Sequence, residues 1–158
     1  MHSLVIIDMQ PGFSGACTTS LRQPILREIE LCKKHKWPII IVEFCRGAKF
    51  NFSFGATMPY IRNALIGHHR YRYVYKTQND GSTKVRDALK LFTKCKKVRV
   101  VGVNTCACVR ETALGLQKKN YKVSIIMDGC NCSDDCSPNF LIYCFNQEGL
   151  NTLRTRLV

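Results

Sequence analysis

Segments typical of buried β-strands alternate along this chain with segments of helical pattern. Strands are predicted at residues 3–8, 39–44, 74–76, 98–103, 122–127 and 150–153. Strands that are joined through helices pair in parallel, and a parallel sheet needs helices on both faces to cover its apolar side chains. The alternation therefore predicts an α/β fold in which a doubly wound, mostly parallel sheet forms the middle of three layers.

The helical segments have recognisable boundary residues. A helix over residues 21–34 has Ser20 as its predicted N-cap, with Gln23 three positions on in a capping-box pattern. Thr57 and Ser82 are the predicted caps of the next two helices. The remaining helices are predicted over residues 108–120 and 137–146. Together these helices are expected to cover both faces of the sheet.

Three chemically reactive side chains stand at or just after the ends of predicted strands. Asp8 ends the first strand, Lys76 ends the third and Cys108 follows the fourth. Ligands of open α/β sheets bind beyond the carboxyl ends of the parallel strands. A parallel sheet would therefore bring an acid, a cation and a thiol to one edge, where they form a candidate active site.

Cys108 lies in the first turn of a predicted helix whose apolar face carries Val109, Ala113 and Leu116. In that position the unpaired backbone N–H groups and the positive end of the helix dipole favour a thiolate. We therefore expect the pKa of Cys108 to be lowered. Cys106 is either a second thiol that protects or resolves Cys108, or a simple packing substitution.

Three motifs follow one another in the order acid, lysine, cysteine. They are DMQPGF at residues 8–13, Lys76, and GVNTCACVRETA at residues 102–113. In this order and spacing they resemble the isochorismatase-like cysteine hydrolases, a family that includes nicotinamidases and N-carbamoylsarcosine amidase. Further segments resemble a subgroup of small uncharacterised cysteine hydrolases: VEF at 42–44, TMP at 57–59 and NDGS at 79–82. The resemblance covers nearly the whole chain and implies the α/β fold of that family.

The resemblance also implies a role for each motif residue. Cys108 would be the nucleophile, Asp8 would take its proton and deliver it to the leaving amine, and Lys76 would stabilise the thiolate. The backbone N–H groups of Asn104 and Cys108 would hold the tetrahedral oxyanion. In the family arrangement, a cis peptide bond would join Val103 to Asn104.

The resemblance places Phe13 against the substrate. The alternating aromatic residues Phe50, Phe52 and Phe54 form either a short edge strand or a lid over the pocket. Nicotinamidases carry a metal-binding Asp-x-His cluster after the second strand, whereas this chain reads EFCRG at residues 43–47. We therefore expect neither a metal nor another cofactor.

Ten cysteines are expected to be reduced thiols of a cytoplasmic protein, because the N-terminus lacks a signal-peptide pattern. The spacing of Cys130, Cys132 and Cys136 lacks the paired C-x-x-C of ordinary zinc sites, and it favours incidental loop thiols over a metal centre. No apolar stretch is long enough to span a bilayer.

The chain is strongly basic, with 24 lysine and arginine residues against 11 acidic ones and a net charge of +13. Such a field attracts anions without specificity. However, the basic runs mostly fall at helix C-termini, and no nucleic-acid-binding motif is present. Nucleic acid and membranes are therefore not expected as partners. Residues 1–158 are expected to form one domain that associates into a dimer or larger homo-oligomer.

Taken together, the motifs predict a metal-independent cysteine hydrolase that acts on a small amide or ureido compound through a thioester. One alternative is a vinyl-ether hydrolase of the isochorismatase type, which does not need the cysteine nucleophile, so an intact Cys108 counts against it. The other alternative is a non-catalytic interaction protein that uses the same fold and its basic surface. An intact triad counts against this second alternative.

Overall fold

A six-stranded parallel sheet forms the middle layer of the molecule. The computed structural model describes residues 1–46, 53–94, 96–131 and 137–155. The strands are β1 (Ser3–Ile7), β2 (Ile39–Phe44), β3 (Tyr71–Lys76), β4 (Lys97–Val103), β5 (Lys122–Asn131) and β6 (Asn151–Leu153). Their order across the sheet is β3-β2-β1-β4-β5-β6, and every neighbouring pair is parallel. The sequence-based prediction of a doubly wound parallel sheet is confirmed.

Helices cover the sheet on both faces. They are α1 (Arg22–His35), α2 (Pro59–Ala64), α3 (Ser82–Lys90), α4 (Arg110–Lys118) and α5 (Pro138–Gln147). Apolar residues of α1 and α2 belong to one buried cluster, and those of α3, α4 and α5 belong to the other. The result is a single α/β domain of three layers. Within the described ranges, no helix combines the length and the apolar composition that a membrane span requires.

Strand β1 shows how both layers are filled. Leu4 and Ile6 belong to the cluster that α1 and α2 cover, whereas Val5 and Ile7 belong to the cluster under α3, α4 and α5. All four side chains are fully buried. Because successive side chains of a strand point to opposite faces, a strand buried on both sides must be apolar at every position. This requirement explains the continuous apolar run that precedes Asp8.

The predicted capping box at Ser20 is wrong. A short 3₁₀ turn at Thr19–Leu21 leads the chain into α1, which begins at Arg22, and no side chain caps its first turn. Ser20 lies inside the 3₁₀ turn and is therefore too early to cap the helix. The predicted end of the helix near residue 34 agrees with the observed end at His35.

The predicted caps at Thr57 and Ser82 are also wrong. The Thr57 amide and hydroxyl both donate to Glu43 Oε1, at 2.7 Å each, so this threonine bonds to β2 and not to a helix terminus. Ser82 is already the first residue of α3, and Gly81 occupies the N-cap position. The Ser82 amide donates to Asp80 Oδ1 at 2.7 Å, so the aspartate supplies the local bond.

Two element boundaries differ from the sequence-based prediction. The segment after β4 begins with a π-helical turn at Thr105–Val109, and α4 continues from it to Lys118. Strand β5 extends to Asn131, so Cys130 lies in a strand and not in a loop. Cys132 and Cys136 lie outside the described residues, as do Phe50 and Phe52. The predictions for those four residues stay predictions.

Strands β1 and β4 lie side by side at the point where the two halves of the sheet meet. Gly102 has a φ of +141°, and a Cβ at this position would lie 2.2 Å from the Ile7 carbonyl oxygen. Only glycine therefore allows β4 to approach β1 so closely. Asp8 and Asn104 follow these strands with left-handed φ values of 54° and 59°, a conformation that Asp and Asn tolerate better than most residues. The chain thus opens a crevice at the switch point of the sheet.

A buried ion pair joins α1 to the sheet. Arg99 of β4 donates from Nε to Glu28 Oε2 at 2.6 Å and from Nη2 to Glu28 Oε1 at 2.7 Å. The Glu28 side chain is 1% exposed and the Arg99 side chain 14%. A buried carboxylate without its cation is strongly destabilising, so this two-bond contact constrains how α1 sits on β4.

We expect Arg99→Met to lower the free energy of unfolding by about 3 kcal/mol, because it leaves the Glu28 carboxylate buried and unpaired. The double variant Glu28→Leu with Arg99→Met should recover most of that loss, since no lone charge then remains. Urea denaturation of the three proteins measures both effects. A single variant as stable as the parent would show that the pair contributes nothing to stability.

Candidate active site

Asp8 and Lys76 form a buried ion pair at the carboxyl edge of the sheet. Asp8 Oδ2 lies 2.9 Å from Lys76 Nζ, and the two side chains are 0% and 2% exposed. Strand β2 lies between β1 and β3, so the lysine side chain crosses the end of β2. There its Nζ lies 4.9 Å from the centroid of the Phe44 ring, and it donates to the Gln78 carbonyl oxygen at 3.2 Å. The acid that follows β1 and the cation that ends β3 therefore form one buried ion pair.

Cys108 lies against this ion pair. Its thiol is almost fully buried, and both Asp8 and Lys76 act on it through charge and hydrogen bonding. The Sγ donates to Asn79 Oδ1 at 3.6 Å, and Asn79 Nδ2 in turn donates to Glu111 Oε1 at 3.2 Å. The structure therefore brings the three sequence-predicted catalytic residues to one point, and it adds Asn79 as a partner of the thiol.

The expected lowering of the Cys108 pKa is wrong. Burial raises the pKa of this thiol to about 11; the Asp8 carboxylate also raises it, while Lys76 lowers it. Cys108 lies in a short π-helical turn and not in the first turn of an α-helix. Removal from water and the facing Asp8 carboxylate both favour the neutral thiol. The pKa of Cys108 therefore lies above, and not below, that of a free thiol.

The Asp8 carboxyl responds to the same environment. Burial raises the pKa of Asp8 above its ordinary value, and the charge and hydrogen bond of Lys76 oppose that rise. Desolvation makes a carboxylate a better proton acceptor, while the cation keeps the charged form available. A group of this kind is able to receive a proton from Cys108 and to release it again.

A cavity of about 270 Å³ opens beside the thiol. Described residues from five stretches of the chain line it: Phe13, Phe44, Arg46, Phe54, Asn79, Asn104, Cys106, Ala107 and Cys108. The Phe13 and Phe54 rings stack with centroids 4.5 Å apart, and the Phe44 ring meets Phe54 edge-on at 5.3 Å. Phe13 therefore lies in the cavity wall, together with Phe54.

Gln10 holds the aromatic wall in place. Its Oε1 accepts the Phe44 amide at 2.7 Å, and its Nε2 donates to the carbonyl oxygens of Gly55 and Phe44 at 2.7 and 3.2 Å. The side chain is fully buried. The D-x-Q motif identified this glutamine by position, but its partners lie more than thirty residues away along the chain and no local pattern indicates them.

Two further residues of the site were missed in the sequence analysis. Glu43 is buried at the end of β2, where it binds Thr57 and so attaches the segment after Phe54 to the sheet. Asn79 belongs to the NDGS segment, whose resemblance to a subgroup of small hydrolases assigns it no role. A polar residue placed soon after Lys76, close to a strand end, was the signal that could have identified it.

The turn after β4 differs from the expected family arrangement. The Val103–Asn104 peptide is trans, so the expected cis bond is absent. Asn104 instead turns the chain through its left-handed φ, and its carbonyl oxygen accepts the amides of Ala107 and Val109 at 3.0 and 3.3 Å. Asn104 and Cys108 both line the cavity.

Cys106 lines the cavity together with Cys108, and both interpretations of this residue stay open. The cysteines in the described part of the chain are free thiols: Cys17, Cys32, Cys45, Cys106, Cys108, Cys130 and Cys144. Among the residues that the structure describes, no three His, Cys, Asp or Glu side chains are grouped as metal ligands. The expectation that the protein uses no metal stays a prediction.

Residues 2–146 match the family model described as Isochorismatase domain. The chain therefore belongs to the isochorismatase family. Among curated proteins it is similar to Isochorismatase domain-containing protein 2 of Xenopus laevis. The two are 25% identical over 148 residues, which is 92% of this chain and 68% of that protein.

Solved structures share the fold at low sequence identity. The MAR1 ribonuclease of Caenorhabditis elegans superposes with a TM-score of 0.82 and 21% identity, over 98% of this chain and 76% of that one. N-carbamoylsarcosine amidase of Thermoplasma acidophilum superposes with a TM-score of 0.78 and 18% identity, over 99% and 98% of the two chains.

Because the Asp8 carboxylate raises the pKa of Cys108, we expect Asp8→Asn to lower that pKa and to speed alkylation at pH 8. Each unit by which the pKa falls should raise the thiolate fraction about tenfold. Asn79→Asp should act in the opposite direction, because it places a carboxylate on the thiol. Iodoacetamide labelling at several pH values, with mass-spectrometric mapping of Cys108, measures the rates.

Asp87→Asn is the matched control for this experiment, since it removes one carboxylate that is exposed at the surface. It should leave the Cys108 labelling profile unchanged. Equal or slower labelling in Asp8→Asn would contradict the assigned charge coupling.

Proposed function

We propose that this protein is a metal-independent cysteine hydrolase that cleaves the C–N bond of a small amide or ureido compound. The observation that carries the proposal is the contact of the Cys108 thiol with the buried pair of Asp8 and Lys76, at the base of a cavity lined by aromatic rings. A nucleophile within reach of a proton acceptor is what acyl transfer requires.

In the first half of the proposed reaction, the Cys108 sulfur attacks the carbonyl carbon and its proton passes to Asp8. The new oxyanion is held by the backbone N–H groups of Asn104 and Cys108. Asp8 then gives the proton to the nitrogen, the C–N bond breaks, and the amine or ammonia leaves. A thioester on Cys108 remains.

In the second half, water attacks the thioester carbon and gives a proton to Asp8. The C–S bond breaks, the acid leaves, and the Cys108 sulfur recovers its proton from Asp8. Lys76 remains beside the carboxylate throughout and limits how firmly Asp8 holds the proton. The raised pKa of the Asp8 carboxyl supports this shuttle, because it makes the carboxylate a better acceptor for the Cys108 proton.

The size of the cavity supports a small substrate. Its volume of about 270 Å³ is at the lower limit of the roughly 300–1,000 Å³ that is typical of sites for drug-sized ligands. Phe13 and Phe54 present their stacked rings to this space, so the substrate would pack an apolar or planar part against Phe13.

A polyanion would bind at a basic part of the surface that lies away from Cys108. Basic side chains from the ends of α3 and α4 line a separate cavity with Tyr121, near the start of β5: Arg86, Lys90, Lys94, Lys96 and Lys119. Cys108 lies beyond the opposite, carboxyl end of the sheet, which is roughly 20 Å away across a strand of this length. This separation does not favour cleavage of nucleic acid at Cys108, despite the fold shared with a ribonuclease. RNA and vinyl ethers serve as negative substrates in the test.

We expect purified protein to release ammonia from at least one member of a panel of small amides and ureido compounds. Cys108→Ala should abolish turnover, a loss of at least about a thousandfold, while Cys106→Ala retains most of it. Activity should survive a chelator. Hydrolysis that persists in Cys108→Ala would contradict the thioester, and vinyl-ether cleavage alone would favour the isochorismatase-type alternative.

We also propose that the protein forms a homo-oligomer. Phe140 and Tyr143 stand one turn apart on α5, and their side chains are 62% and 61% exposed, whereas Leu141 and Phe145 of the same helix are buried in the core. Exposed aromatic residues that are grouped in this way are typical of contact surfaces between proteins.

Light scattering at micromolar concentration should give a mass of at least twice 18.0 kDa. Replacing both Phe140 and Tyr143 by Asp should shift the protein toward the monomer, because charges would then occupy the contact. The same change at Lys34 and Lys36, which are exposed on another helix end, serves as control. A parent protein that is a monomer at this concentration would contradict the proposal.

A further inference from the structure

We propose that Arg46 makes this cavity a site for substrates that carry a carboxylate or a similar anionic group beside the scissile bond. The inference rests on the proposed hydrolase function and deepens it by naming a substrate class. Arg46 follows β2 by two residues and lines the same cavity as Cys108. Among the described lining residues, it carries the only formal charge.

The charges around the cavity leave that of Arg46 available. Asp8 and Lys76 neutralise each other as a buried pair behind the thiol. The Glu111 carboxylate accepts from Asn79 and does not line the cavity. Within the described residues, no carboxylate lies within 4.0 Å of the Arg46 guanidinium. Among the described residues, the space in front of Cys108 therefore faces one positive charge that no carboxylate neutralises.

The position of the guanidinium suits a bound anion. Its Cζ lies 5.7 Å from the centroid of the Phe54 ring, and Phe54 stacks in turn on Phe13. A guanidinium presents paired N–H donors to a carboxylate, and an aromatic face beneath it limits the directions in which it can move. The two phenylalanine rings provide an apolar surface for the rest of the same molecule.

Cavity size restricts the distance between the two ends of the ligand. Arg46 and Cys108 line one space of about 270 Å³, so a molecule whose anionic group contacts Arg46 has its remaining atoms close to the thiol. A molecule whose carboxylate and scissile C–N bond are separated by few atoms meets this requirement. A neutral amide of the same size would leave the charge of Arg46 unused.

The alkylating agents iodoacetate and iodoacetamide test this inference without any turnover. Both have nearly the same size, and in both the Cys108 sulfur displaces iodide and forms a C–S bond. They differ in that iodoacetate carries a carboxylate. The measured quantity is the ratio of the two rate constants at Cys108, divided by the same ratio for glutathione. Labelling is done at pH 9, and Cys108 is identified by peptide mapping.

We expect Arg46→Gln to lower this normalised ratio by about three- to tenfold, the effect of one charge near a partly exposed site. The loss should lie in the iodoacetate rate, with little change for iodoacetamide. Arg46→Lys should retain most of the preference, because the charge remains. Arg86→Gln removes the same charge from the cavity around Tyr121, and it should leave the ratio unchanged.

A ratio that falls equally in Arg46→Gln and Arg86→Gln would overturn the inference, because the general positive field would then explain the preference. An unchanged ratio in Arg46→Gln would overturn it as well. Both results are independent of the proposed function, which depends on ammonia release. A protein with no hydrolase activity but with a ratio that depends on Arg46 would contradict the hydrolase and leave the anion site standing.

Discussion

The site depends on the buried ion pair between Asp8 and Lys76. A carboxylate with no exposed surface is costly unless a cation lies beside it. Strand β2 separates the two strands that carry these residues, by roughly 10 Å in total, and the long lysine side chain spans that distance above Phe44. The pair therefore forms only when β1, β2 and β3 are aligned, so its presence reports the correct register of this half of the sheet.

The same pair determines the chemical state of the thiol. Cys108 follows β4, which lies beside β1 at the switch point of the sheet, where Gly102 lets the two strands approach closely. Once there, the thiol is buried and faces a carboxylate, and these two effects together outweigh the attraction of Lys76. In the reaction proposed above, Cys108 would therefore start as the neutral thiol and lose its proton to Asp8 as the sulfur attacks the substrate.

Gln10, which follows β1, and Glu43 of β2 hold the aromatic wall of the cavity beside Cys108. Gln10 binds Phe44 and Gly55 through three hydrogen bonds, and Glu43 binds Thr57 through two. These contacts attach the segment from Ser53 onward to the strand ends that carry the reactive groups. The aromatic wall of the cavity and the residues at its base are therefore held at the same edge of the sheet.

The sequence by itself determined the alternation of strands and helices, the parallel sheet, and the location of Asp8, Lys76 and Cys108 at strand ends. Those features follow from hydrophobic periodicity and from motif spacing, which are local properties of the chain. Only the tertiary structure decided the direction in which the Cys108 pKa is shifted, the bond of this thiol to Asn79 and the place of Arg46 in the cavity wall. Burial and charge at one atom depend on residues that are distant in sequence, and only the folded chain brings them together.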